Sequence, residues 1–115
     1  MHRTKCSASP YIYYIELDSE IPILESDIES FVQDIKQGVA VYGYTPNIMI
    51  STDEPYDYWD SVKNLFLKMD TGKLGICTDQ EVSGLVSNLL PLNSNVSIKS
   101  YGYSEKDECD NWLSK

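Results

Sequence analysis

The chain has 115 residues, of which 42% are hydrophobic, enough to build one domain around a single core but not two. Eighteen Asp and Glu against nine Lys and Arg give a formal net charge of −9, so the surface repels phosphate backbones and anionic lipids. These features argue against direct binding to nucleic acid or a membrane, and they favour a positively charged partner.

The chain contains no apolar run of bilayer length and no hydrophobic leader, which predicts a soluble, cytoplasmic protein. Its three cysteines are odd in number and widely spaced, so we expect reduced thiols. His2 is the only histidine, and neither a metal nor a cofactor is expected. We predict one domain over residues 1–115, with the polar residues 1–10 as a flexible tail.

Hydrophobic periodicity predicts alternating strands and helices in the first half of the chain. Residues 11–17 are rich in aromatic and β-branched side chains and predict a strand. A capping box at Ser26 and Glu29 predicts the start of a helix that Gly38 ends. Residues 39–44 predict the next strand. Residues 48–50 are either its hairpin partner or its continuation past Pro46.

The second half shows the same alternation. We predict a helix that opens at residues 51–55 and ends at Gly72, followed by a buried strand at 73–77. The next helix opens with the capping box of residues 78–81 and ends at Pro91. A strand at 95–103 and a short last helix containing Cys109, Trp112 and Leu113 complete the chain. Within the helix that ends at Pro91, we expect Gly84 to allow close approach of a strand.

This order predicts an α/β fold: a small single-domain sandwich with a four- or five-stranded, largely parallel or mixed sheet covered by three to four helices. The strand order stays open.

The sequence lacks the usual parts of an enzyme. No glycine-rich loop joins a strand to a helix, and His2 is the only imidazole that could serve as a base. Carboxylates cluster between Asp53 and Asp60, but a helix start lowers carboxylate pKa, the wrong direction for an acid catalyst. We therefore expect a non-enzyme.

Two Tyr-Gly-Tyr triplets, at residues 42–44 and 101–103, each form the end of a predicted strand. If both strands run the same way, four tyrosines meet at the carboxyl edge of the sheet, where ligands bind in open α/β folds. Alternatively, these tyrosines are good strand formers that pack under helices.

The sequence therefore predicts a small acidic binding protein that inhibits a basic, nucleic-acid-handling partner by presenting carboxylates and tyrosines in place of nucleic acid. An immunity protein or antitoxin against a nuclease toxin, or a phage-encoded inhibitor, fits this description. The predicted partner-binding residues are Asp53, Glu54, Tyr56, Asp57, Asp60, Tyr42, Tyr44, Tyr101 and Tyr103. The alternatives are a structural or accessory α/β module that self-associates as a homodimer, and a carboxylate-dependent enzyme.

Overall fold

The computed structural model describes residues 2–8, 11–43 and 45–115, which form one five-stranded sheet and four helices. In chain order the elements are β1 (Arg3–Ala8), β2 (Tyr11–Glu16), α1 (Glu25–Tyr42), β3 (Asn47–Ser51), α2 (Val62–Lys68), β4 (Gly72–Cys77), α3 (Ser83–Leu89), β5 (Val96–Tyr101) and α4 (Lys106–Leu113). In the described ranges, no helix is both long enough and apolar enough to cross a bilayer.

The strands lie side by side in the order in which they occur in the chain. β1 pairs antiparallel with β2, and β2 to β5 are parallel. Parallel crossovers are right-handed, so three crossovers that all step in one direction bring α1, α2 and α3 to the same face of the sheet. α4 covers the other face. The predicted α/β class, with a mixed five-stranded sheet and four helices, is confirmed.

Successive side chains of each strand alternate between two cores. The larger core lies under α1, α2 and α3, and its fully buried strand residues include Ile15, Ile50, Leu74 and Ile76. The smaller core lies under α4 and consists of Ile12, Met49, Cys77, Cys109 and Leu113. Gly75 permits close packing here, because a Cβ at this position would overlap the Cys109 Sγ.

The N-terminal segment differs from the predicted flexible tail. Residues 3–8 form an edge strand, and the exposed side chains of residues 3–6 explain its polar sequence, since edge strands often carry charge. His2 is buried. Its Nδ1 accepts the Asp18 N–H at 2.9 Å, and its Nε2 lies 3.1 Å from the Pro22 carbonyl oxygen, to which it donates.

The strand predicted at residues 39–44 is wrong, because α1 continues through Tyr42. Gly38 does not end the helix. It lies under the ring of Tyr11, whose hydroxyl a Cβ would overlap. The left-handed stop is Gly43, with φ of 83°. Tyr11 and Tyr42 then pack with their ring centroids 4.8 Å apart. Helical periodicity thus prevails over the strand preference of these residues.

The helix starts are also displaced from their predicted positions. α1 begins at Glu25, and the Asp27 carboxylate, rather than a Ser26 and Glu29 pair, accepts the N–H of Leu24 at 2.8 Å. α2 begins only at Val62 and α3 only at Ser83.

The loops before α2 and α3 are longer than predicted because polar side chains form hydrogen bonds with nearby backbone groups in place of a helical turn. The Thr52 hydroxyl donates to the Glu54 carbonyl at 3.0 Å, and the Thr78 hydroxyl accepts the Gln80 N–H at 3.2 Å. In α3, Gly84 is exposed, and a Cβ added to it would meet no other atom within 4 Å, so no strand approaches it.

Candidate partner-binding surface at the carboxyl edge

Four loops follow the carboxyl ends of the parallel strands and lie along one edge of the sheet. They are residues 17–24, 52–61, 78–82 and 102–105. None contains Lys or Arg. They carry half of the eighteen acidic residues, a set we call the acidic rim: Asp18, Glu20, Asp53, Glu54, Asp57, Asp60, Asp79, Glu81 and Glu105.

The opposite, amino edge of the sheet has a different charge. Its described loop residues, 43, 45–46, 69–71 and 90–95, include a single acidic residue, Asp70. Lys68 ends α2 at this edge, and Lys73 is the second residue of β4. The molecule is therefore electrically polarised along its strands.

Several rim carboxylates join neighbouring loops. Glu54 accepts the Ser19 hydroxyl at 2.9 Å, which connects the loops after β2 and β3. Asp79 accepts the Tyr103 N–H at 3.0 Å, which connects the loops after β4 and β5. The Ser83 hydroxyl and N–H lower the pKa of Glu81, which favours its ionised form. The contacts of Glu54 and Asp79 fix the positions of neighbouring loops in the acidic rim.

Other rim carboxylates make no contact of this kind. Asp53 and Asp57 are exposed and make no hydrogen bond or ion pair within the described residues. Asp60 is likewise exposed, in the 3-10 turn that leads into α2. A partner can approach these carboxylates without breaking contacts within the protein.

The strand order places no topological crevice among the first three loops of the rim. Ligand crevices form where successive crossovers lie on opposite faces of a sheet, and α1, α2 and α3 share one face. The helices change from one face of the sheet to the other at β5, between α3 and α4. The hydrogen bond between Asp79 and Tyr103 bridges the loops after β4 and β5 at this point. A shallow pocket of about 250 Å³ lies between the loops after β2 and β3, and Arg3, paired with Glu16, is the cation that lines it.

The four predicted tyrosines do not gather at this edge. Tyr42 lies at the end of α1, at the amino edge, because residues 39–42 are helical. Tyr44 lies outside the described residues. Tyr101 and Tyr103 are at the carboxyl edge and half-buried. Tyr101 packs 6.4 Å from Trp112, and the Lys106 ammonium lies 3.9 Å from the Tyr103 ring centroid.

Tyr56 belongs to the core and leaves the set of partner-binding candidates. It is 1% exposed, its hydroxyl donates to the Ile21 carbonyl at 2.8 Å, and its ring packs on Trp59 at 5.1 Å. The Gln80 carboxamide accepts the Tyr56 N–H at 2.7 Å. The residue therefore organises the loop behind Asp53 and Asp57.

Tyr58 was missed by sequence reasoning. It is 39% exposed in the same loop, although its spacing from Val62 and Leu65 is that of a core-facing position on a helix. Pro55 among four acidic residues was the signal for a loop in place of a helix.

Among the described residues, no three His, Cys, Asp or Glu side chains are arranged to hold a metal ion. Comparison with known proteins gives no matching family model and no significant match among curated proteins or solved structures.

Proposed function

We propose that this is a cytoplasmic, acidic binding protein that inhibits a basic, nucleic-acid-handling partner by covering its cationic surface with the acidic rim. It acts by binding rather than by catalysis. An immunity protein or antitoxin against a nuclease toxin, or a phage-encoded inhibitor, would work in this way. The observation that carries the proposal is the placement of nine acidic residues, and no basic one, in the four loops of one edge.

The arrangement of the rim favours a macromolecular partner. A series of carboxylates on four neighbouring loops matches a groove that otherwise binds successive phosphates, whereas small-ligand sites are lined mainly by apolar side chains. The polarised charge turns the rim toward a cationic surface during approach and raises the association rate. Tyr58 adds an exposed aromatic ring beside Asp57, a residue type common in interface cores.

Self-association is a second candidate function, favoured by an apolar surface away from the rim. Leu67, Leu90 and Leu92 are 46%, 47% and 46% exposed. The Asn93 carboxamide donates to the carbonyls of Phe66 and Met69, which ties the segment after α3 to the end of α2. A homodimer through these leucines would be insensitive to salt, and sedimentation at several protein concentrations would detect it.

The proposed function is tested by neutralising two rim charges. The variant Asp53→Asn with Asp57→Asn is compared with Glu29→Gln and Asp70→Asn, which remove the same charge from exposed positions outside the rim. A partner is captured from the native host with the unaltered protein, purified, and assayed for binding and for its activity on nucleic acid. We expect the rim variant to bind about tenfold more weakly or worse and to inhibit less, with the control unaffected.

Two results would contradict the proposal. One is equal binding by the rim variant and the control. The other is a captured partner whose activity on nucleic acid is unchanged when the protein is bound.

A further inference from the structure

A separate groove of about 190 Å³ lies at the amino edge, between the second half of α1 and the end of α2. We call it the amino-edge groove. Its apolar lining includes Val32, Ile35, Val39, Ile48, Leu65 and Met69. None of these residues belongs to the acidic rim, and the groove lies at the opposite end of the strands.

The groove exists because two helices of unequal length cover this part of the sheet. α1 has 18 residues and α2 has seven, and the chain leaves α2 in an extended conformation at Met69. Ile48 and Leu65 are buried and form the floor. Val32, Ile35 and Met69 pack against the core but stay partly exposed, so apolar surface faces solvent here.

Two lysines flank the groove. Lys36 lies one turn from both Val32 and Val39 on α1, and Lys68 is the last residue of α2; both line the groove and both are exposed. Within the described residues, neither ammonium has a carboxylate within 4.0 Å. Asp70 is the one acidic side chain in the lining. An apolar cleft with two unpaired cations stands out in a chain of net charge −9.

We propose that the amino-edge groove binds a small anionic amphiphile, an alkyl chain of medium length with one carboxylate. The chain lies against Val32, Ile35 and Met69, and the carboxylate lies between Lys36 and Lys68. The groove is smaller than the roughly 300–1,000 Å³ typical of drug-sized ligands, which limits the occupant to a single unbranched chain of medium length. Charge complementarity selects an anion over a neutral or cationic head group.

The test uses three probes with the same chain, octanoate, octanol and octylammonium, titrated into the protein below their micelle concentrations. Chemical-shift changes in methyl NMR spectra show where each probe binds. We expect saturable shifts in the methyl groups of Val32, Ile35, Val39 and Met69. Octanoate should bind about tenfold more tightly than octanol, and octylammonium more weakly than either. Each methylene added from hexanoate onward should tighten binding about fourfold until the groove is full.

Lysine variants distinguish a specific site for the carboxylate from non-specific attraction of the anion to surface lysines. Replacing both Lys36→Gln and Lys68→Gln should abolish the preference for octanoate over octanol while leaving octanol binding unchanged. Lys63→Gln is the matched control, because Lys63 is exposed on α2 but does not line the groove. All three lysines are exposed, so folding is preserved.

The proposal is overturned by the absence of saturable shifts, by shifts centred outside the groove, by equal affinity for octanoate and octanol, or by an equal effect of Lys63→Gln. None of these results bears on the acidic rim, whose residues are elsewhere.

Discussion

At the scale of single residues, tyrosine hydroxyls connect the sheet to the helices on both of its faces. The Tyr13 hydroxyl donates to the Asp34 carboxylate of α1 at 2.8 Å, and the Tyr14 hydroxyl donates to the Asp110 carboxylate of α4 at 2.6 Å. Burial raises the pKa of both tyrosines, and the acceptor carboxylates raise it further. The ionised phenolate is therefore disfavoured in the folded state.

These shifts predict a loss of stability in alkali. An unfolded tyrosine titrates near pH 10, so the stability contributed by the raised pKa is fully present below about pH 10 and is lost as the pH rises further. We expect the free energy of unfolding to decline above about pH 10, and to decline less steeply in Tyr13→Phe, which has no proton to lose at this position. Urea denaturation across the pH range measures both slopes. Identical slopes in the two proteins would show that Tyr13 does not cause the decline.

At the scale of elements, the sequence predicted those parts whose pattern is local. The strands at residues 11–17 and 73–77 and the last helix occur close to their predicted positions, because apolar alternation and helical spacing are set by neighbours in the chain. The prediction for residues 39–44 failed because burial of Gly38 depends on Tyr11, a contact between distant residues.

The loop after β3 was missed for the same physical reason. Gln80, 24 residues later in the chain, holds Tyr56 through its carboxamide, with the Tyr56 N–H at 2.7 Å from Oε1 and the Tyr56 carbonyl at 3.1 Å from Nε2. A local capping pattern cannot reveal this partner. The acidic character of residues 53–60 was nevertheless evident from the sequence. The positions of Asp79 and Glu105 in the same rim depend on the consecutive strand order, and the sequence did not reveal that order.

Two glycines provide a matched test of how β4 and α4 pack. We expect Gly75→Ala to destabilise the protein by about 1–3 kcal/mol, since its Cβ would overlap the buried Cys109 Sγ. Gly84→Ala in α3 meets open space and should stabilise by roughly 0.4–1 kcal/mol, because alanine restricts the unfolded chain. Urea denaturation of both variants gives the two values. A Gly75→Ala protein as stable as Gly84→Ala would rule out the close contact.

At the scale of the whole molecule, charge rather than shape distinguishes the two ends of the sheet. The carboxyl edge carries the acidic rim, and the amino edge carries a single acidic residue in its loops, with Lys36 and Lys68 beside the amino-edge groove. One sheet thus separates two surfaces of opposite character. The parallel direction of β2 to β5 produces this separation, because every loop that follows a parallel strand begins at the same edge.

The proposed inhibition depends most on attraction between the acidic rim and a cationic partner. The association rate measured against ionic strength tests this attraction most directly. With the partner purified from the native host, we predict that the rate falls steeply between roughly 0.05 and 0.3 M salt, as screening shortens the range of the rim's field. The fall should be shallower for Asp53→Asn with Asp57→Asn than for Glu29→Gln with Asp70→Asn. An association rate that does not change with salt, or that falls equally steeply with salt in both variants, would contradict the proposed attraction.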